Sequence, residues 1–292
     1  MRTTTRLPFL RSLFGVLLIC SIASNLLALP ARAGNPFFAF DNGVGRNLNW
    51  PPAQQAAMLK ALGFDGIGYT GTKNFTERQN AQQAQGMKIF SLYLPCYVDR
   101  PQAYDPQLKS DIAPLKGTGV ALWLTVQGKA TNDANAVRIV REIADAAAAE
   151  GVRVALYPHK GCFVATAEDA LRLLPQVGRP NVGVSINLCH ELAAGNADRL
   201  ANIVTASAPH LFLVSINGAD LSGGWDDLIR PLDEGSFDLG GFLKQLDRVR
   251  YDGPIGLQGF NLKGEPEQNL RRSIAAWRKL TAPNSGVPSH GR

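Results

Sequence analysis

The chain has 292 residues, 45% of them hydrophobic, with 30 Lys and Arg against 24 Asp and Glu and a net charge of +6. That length suits one large α/β core. No basic run with interleaved aromatics occurs, which argues against a nucleic-acid partner, and 4 cysteines are too few for a disulfide-built scaffold.

At the N-terminus Arg2, Arg6 and Arg11 make a positive stretch free of acidic residues. An apolar run from Leu13 to Leu29 follows, interrupted by Ser21, Ser24 and Asn25, and ends at the small-x-small triplet Ala31-Arg32-Ala33. This order predicts a secretory signal peptide over residues 1–33, cleaved after Ala33, and a secreted or periplasmic protein with no membrane attachment once it is removed. The run is short and polar-interrupted for a membrane span. Arg2, Arg6, Arg11 and Arg32 carry four of the six net charges, so residues 34–292 carry only +2. Three cysteines remain there, Cys96, Cys162 and Cys189, with room for at most one disulfide among them.

From Phe37 onward short apolar strands alternate with helical segments. Strands are predicted at 37–42, 66–70, 88–95, 121–127, 153–159, 182–187, 211–217 and 254–258. Helices are predicted at 52–62, 76–85, 105–116, 132–150, 166–176, 197–208, 239–249 and 266–280. Strand–helix alternation predicts βαβ units and a parallel sheet. Two echoes point to a closed ring rather than an open sheet. Val184-Ser185-Ile186-Asn187 recurs as Val214-Ser215-Ile216-Asn217, and Phe64-Asp65-Gly66-Ile67-Gly68 recurs around Tyr251-Asp252-Gly253-Pro254-Ile255-Gly256. No Gly-x-Gly-x-x-Gly follows the first strand, which removes the main sign of a dinucleotide-binding sheet. The expected architecture is a single (β/α)8 TIM barrel over residues 34–280, followed by a disordered tail at 281–292.

Barrel proteins carry their chemistry at the carboxyl ends of the strands, and side-chain alternation selects the inward set. Parity places Tyr157 and His159, Ser185 and Asn187, Ser215 and Asn217, and Gln258 inward; other strand ends offer Asp41, Asn42, Tyr69, Tyr93 and Gln127. Amides, hydroxyls and rings converging at one mouth suit a polyhydroxylated ligand, a small carbohydrate. Any one amide could instead tie a loop. His159 and His190 follow adjacent strands and are the expected acid–base pair, against the alternative of histidines bonded to loop backbone. Their neighbours Cys162 and Cys189 do not stand at a recognised zinc spacing. Asp220, after the seventh strand, is a further binding candidate against the default of a surface acid.

The segments Gly63-Phe64-Asp65-Gly66-Ile67, Val154 to His159, Asn181 to His190, and Asp233-Glu234-Gly235-Ser236-Phe237-Asp238 leading to Tyr251-Asp252-Gly253-Pro254-Ile255 carry a resemblance. Here the chain resembles the xylose-isomerase-like barrel superfamily of sugar phosphate isomerases and epimerases, related to the second apurinic endonuclease family. The resemblance implies a strand-end divalent metal held by Glu, Asp, His and Glu, which stabilises an enediolate. The matching positions in this chain are Tyr157, Asn187, Ser215 and Gln258, none of them charged. His159 and His190 match histidines that follow the strand-five and strand-six ligands. The expectation is therefore an exported carbohydrate isomerase or epimerase, or a lyase, moving a proton next to a carbonyl. No cofactor is expected, and a metal only through relocated ligands such as His159, His190 and Asp220. The expected roles are catalytic for His159 and His190, and substrate-binding for Tyr157, Asn187, Asn217, Gln258, Gln127, Tyr69 and Asp220. The alternative is a catalytically inactive carbohydrate-binding protein. The sequence leaves the oligomeric state open.

Overall fold

The computed structural model describes residue 1, residues 34–129 and residues 132–282. The predicted signal peptide, apart from residue 1, and the tail beyond Ala282 lie outside the described residues. Eight parallel strands close into a barrel in chain order: β1 (Phe37–Phe40), β2 (Gly66–Thr70), β3 (Lys88–Tyr97), β4 (Ala121–Gln127), β5 (Arg153–Leu156), β6 (Val182–Asn187), β7 (Leu211–Ile216) and β8 (Ile255–Leu257). Pairing of Phe38 with Gly66 on one side and with Gly256 on the other closes the ring. The helices are α1 (Pro52–Leu62), α2 (Phe75–Ala84), α3 (Leu108–Ile112), α4 (Ala134–Ala149) and α5 (Ala167–Val177), then α6 (Leu188–Ala193), α7 (Leu200–Ser207), α8 (Trp225–Leu228), α9 (Leu239–Arg248) and α10 (Pro266–Thr281). No helix among the described residues is long and apolar enough to cross a membrane.

Local sequence explains the helices. In α4, Val137, Val140, Ile143, Ala144 and Ala147 recur at helical spacing and bury one face against the strands. Helix α5 starts at a capping box: the Asp169 backbone N–H donates to Thr166 Oγ1 at 3.3 Å, and Thr166 N donates to Asp169 Oδ2 at 3.1 Å. Gly178, with φ of 58°, ends it in the left-handed conformation that glycine adopts freely.

Two apolar layers result. Outward residues such as Ile67, Leu92, Leu122, Val184 and Ile255 pack under the helices. Inside, Phe38, Phe40, Trp123, Tyr157, Ala155 and Leu213 fill the barrel. The Phe40 and Trp123 rings stack with centroids 4.9 Å apart, and Tyr157 meets Trp123 edge-on at 5.0 Å. Small residues make room: a Cβ at Gly256 would lie 2.7 Å from Phe38 Cζ, and one at Gly68 would lie 2.9 Å from Phe38 Cε2.

The structure departs from the expected elements in several places, with small shifts at the ends of β1, β3, β7 and β8 and larger changes elsewhere. Strand β5 ends at Leu156 rather than His159, although the extended path continues, with Tyr157 N donating to Leu124 O at 2.8 Å and His159 N to Val164 O at 3.0 Å. The helix expected over 105–116 shrinks to α3 followed by a tight turn at Ala113–Leu115, because Pro114 has no N–H with which to extend it. Helices α6 and α8, too short for a periodic signal, were not expected, and α10 runs to Thr281. Tyr69, expected at the mouth because it stands at a strand end, is corrected by the structure. Its ring belongs to the outer layer, and Gln82 on α2 donates to its hydroxyl at 3.3 Å, so it faces the helices and not the mouth.

Replacing Gly256 with alanine should overpack the interior against Phe38, a cost of about 1–3 kcal/mol. Urea unfolding checks this, and an unchanged midpoint would contradict the tight fit.

Candidate active site

A cavity of about 300 Å³ opens at the carboxyl ends of the strands. Its floor is Phe40, Tyr93 and Tyr157, the upper surface of the interior aromatic layer. Asn42, Arg46, Thr70 and Gln258 form one wall, and His159 and His190 form the opposite one. Trp225, Ile229 and Phe260 make the rim, with Trp225 and Phe260 42% and 52% exposed.

The two imidazoles lie face to face, with centroids 4.0 Å apart and planes tilted by 37°. Lys160 holds both. Its backbone N–H donates to His190 Nδ1 at 3.2 Å, while its carbonyl oxygen stands 3.0 Å from His159 Nδ1. An N–H can only donate and a carbonyl can only accept, so in the neutral rings His190 Nδ1 is bare and His159 Nδ1 carries the proton. The other nitrogens then differ in kind: His190 Nε2 is a donor and His159 Nε2 a lone pair. Both rings favour neutrality. Burial lowers the His190 pKa to about 3, with the charges of His159 and Lys160 adding to the effect. Burial also lowers His159, opposed by the bond to Lys160.

Helix α6 explains how His190 reaches the cavity, three residues past Asn187 and one turn into the helix. Glu191 beside it is buried. Its carboxylate accepts from Ala167 N, at the start of α5, and from Asn196 Nδ2, both at 2.7 Å. These bonds anchor α6, and the Lys160 ammonium adds a bond to the Ala193 carbonyl at its end.

On the opposite wall a buried carboxylate positions a cation. Asp41 accepts from Thr70 N at 2.8 Å and Thr70 Oγ1 at 2.9 Å, and Arg46 Nη1 lies 3.4 Å from Asp41 Oδ1 and 2.7 Å from Thr70 Oγ1. The Gln258 carboxamide donates to the Tyr157 hydroxyl at 3.3 Å and accepts from Asn42 Nδ2 at 2.7 Å. Burial raises Tyr157 well above the ordinary phenol value, with bonds to Asn187 and Gln258 opposing, so it remains a hydroxyl.

Of the residues expected in the site, the structure brings Tyr157, His159, His190 and Gln258 together in the cavity. Asn187 lies fully buried just below, its amide donating to Pro158 O at 3.2 Å and its oxygen accepting from Ser215. Asn217 ties the loop after β7, donating to Gly218 O and Leu228 O at 2.7 Å. Gln127 bonds to Thr125 Oγ1 at 3.1 Å and does not line the cavity. Asp220 faces away: Arg230 lies at 2.8 Å and Ser236 donates to it from backbone and side chain, holding its pKa down. It therefore does not join the two histidines as a relocated metal ligand. Among the described residues no group of three or more His, Cys, Asp and Glu is placed to hold a metal ion. Cys96, Cys162 and Cys189 are free thiols. Arg46, Thr70, Trp225, Ile229 and Phe260 were not anticipated. Thr70 ends β2 and Trp225 opens the one-turn helix α8, while the others lie in loops or short turns, where no periodicity marks an inward position.

A closed eight-strand α/β barrel with a polar cavity at its strand ends defines the TIM-barrel class. The chain belongs to the xylose isomerase-like TIM barrel family, whose pattern matches residues 117–280. It is 29% identical over 161 residues to a ketose 3-epimerase of Arthrobacter globiformis, an alignment covering 54% of this chain and 52% of the relative. The matched region thus spans about half the length of that curated relative. Among solved structures, a 3-keto-D-glucoside 4-epimerase of E. coli superposes with a TM-score of 0.69 at 18% identity, covering 84% of this chain and 99% of that one. A D-allulose 3-epimerase of Methylomonas sp. in complex with D-allulose gives 0.67 at 19% identity, covering 86% and 98%. At such identities these superpositions establish the shared fold.

The pKa of His190 carries a stability consequence. Its folded value near 3 lies below the unfolded value near 6.5, so between them the unfolded chain binds the proton first. The neutral ring's contribution is intact above pH 6.5 and falls away as the pH drops toward 3. Unfolding free energies measured over that window should decline less steeply in His190→Gln than in the parent chain. Parallel curves would contradict the buried neutral ring.

Proposed function

We propose that this barrel is a sugar isomerase or epimerase that moves a proton next to a carbonyl with its histidine pair and without the family's strand-end metal. The observation that carries the reading is the pair itself: two neutral imidazoles 4.0 Å apart, one presenting a lone pair and the other an N–H. His159 Nε2 takes the proton from the carbon beside the carbonyl. The C–H electron pair becomes a C=C bond, and charge moves onto the carbonyl oxygen, which the His190 Nε2–H stabilises as a neutral donor. Returning the proton to the former carbonyl carbon, with the neighbouring hydroxyl proton passing to the old carbonyl oxygen, gives the isomer. The epimer forms when the enediolate turns over in the cavity, so that the His159 imidazolium returns the same proton to the original carbon on its other face.

The chemistry of the strand-end donors supports a reaction independent of the family metal. Tyr157, Asn187, Ser215 and Gln258 carry no charge and are bonded to protein partners, to one another in two cases, so they do not fit a hard divalent cation that calls for carboxylates. The neutral replacements also favour a second reading, a carbohydrate-binding protein without turnover. The ketose 3-epimerase relative and the epimerase neighbours support a sugar as ligand, and the aromatic floor suits the apolar face of a sugar ring. The tripartite pattern of residues 1–33 supports export, so the protein recovered from its producing cells should begin at Gly34.

Deuterium uptake from D2O into D-allulose, D-fructose or a keto-glucoside reads the proton transfer directly. His159→Ala should slow it by about 10²–10⁴-fold. Full exchange in the His159→Ala, His190→Ala double variant would falsify the assignment, and binding of these sugars without any exchange would establish the binding-protein reading instead. Because the base must be neutral and its pKa lies below 6.5, the rate should hold at pH 7 and fall only in more acidic buffer. Chelation with EDTA should leave the rate unchanged; loss on chelation, restored by Mn²⁺ or Zn²⁺, would overturn the metal-free reaction.

A further inference from the structure

Beside the reaction cavity lies a second one of about 240 Å³, and Asn42 borders both. The segments between them present residues to each side in turn. In the loop after β8, Gln258 and Phe260 face the reaction cavity, while Gly259 and Asn261 face its neighbour. In the loop after β1, Arg46 faces the first, and Gly43, Asn47 and Leu48 face the second. The two loops meet through glycines: a Cβ at Gly43 would stand 3.2 Å from Gly259 Cα, and one at Gly259 would stand 2.9 Å from Gly43 Cα. No side chain rises from the divide at that point.

The chemistry of the second cavity resembles that of a sugar subsite. Asn47, Asn261 and Asn269 offer amides, Leu48 an apolar face that is 55% exposed, and Glu265 a carboxylate that disfavours an anionic ligand. Phe260, on the loop shared by the two cavities, exposes half of its ring. An aromatic face left in water beside amide groups is the arrangement that a sugar ring covers, its C–H face on the ring and its hydroxyls on the amides. One ring occupies the reaction cavity against the histidines, and a second has a prepared place across Phe260.

We infer that the substrate is a glycoside of at least two sugar rings, the reacting ring lying against His159 and His190 and the second in the cavity of Asn47 and Asn261. This rests on the proton-transfer reading for the identity of the reacting ring but is tested apart from it. Titration calorimetry on the full chain compares D-fructose with isomaltulose and turanose, disaccharides that keep a ketose ring, and D-glucose with cellobiose. At least one disaccharide should bind about tenfold more tightly than its monosaccharide. Asn47→Ala combined with Asn261→Gly should remove that advantage and leave the monosaccharide unchanged; glycine is chosen because Asn261 has a left-handed φ of 59°. Equal affinities within every pair, or equal losses for both ligands in the variant, overturn the second subsite. Tight disaccharide binding with no deuterium uptake leaves the subsite standing and removes the proton-transfer reading. Uptake with no disaccharide advantage does the reverse.

Discussion

The barrel interior has to bury an indole, and much of the site follows from that constraint. Trp123 stands on the axis between Phe38, Phe40 and Tyr157, and its N–H is out of reach of water. A buried donor left unpaired costs about 1–3 kcal/mol. Ser185 removes that cost, accepting from Trp123 Nε1 at 2.6 Å and donating to Leu156 O at 2.7 Å. The bond joins β4 to β6 over the intervening β5 and fixes the height of the aromatic layer. That layer is the floor of the cavity, so the polar groups above it are set by how the core below is filled.

The chemistry above the floor depends on one peptide unit as much as on side chains. Through its N–H and its carbonyl, Lys160 gives opposite tautomers to two rings that are identical in sequence terms. The side chain matters too: it bonds to the end of α6 and places a positive charge that disfavours an imidazolium at His190. Glu191 holds the same helix from the other side. The bare nitrogen of one ring and the N–H of the other are thus set by the loop after β5 and the helix after β6 together.

The strands were legible because each is an apolar run bounded by polar or glycine positions, and the parity of β5, β6 and β8 could be read from alternating large and small residues. In β2 the same reasoning failed for a physical reason. Gly66 and Gly68 are the inward residues, Gly66 made small by the Lys88 backbone and the Phe90 ring and Gly68 by Ser91 and the Phe38 ring, and a glycine leaves no side chain from which to read a facing. Tyr69 consequently looked like a mouth residue. Asn187 and Asn217 illustrate the opposite limit. An amide at a strand end can meet a ligand or a loop carbonyl, and residue type alone does not separate the two; here Asn217 holds the segment that carries Ile229. Arg46 is invisible for another reason, since its place depends on a turn wrapped around the buried Asp41.

The electrical balance of the cavity has a consequence for how a ligand arrives. Among the described residues Arg46 is the one charged side chain in its lining, and Asp41 lies directly behind it. The imidazoles are neutral at physiological pH and the remaining groups are amides, hydroxyls and rings. Such a mouth projects little field into solvent, so capture proceeds by unguided diffusion and desolvation rather than long-range attraction. Association rates should therefore be nearly the same in dilute buffer and at high ionic strength, a property suited to uncharged molecules.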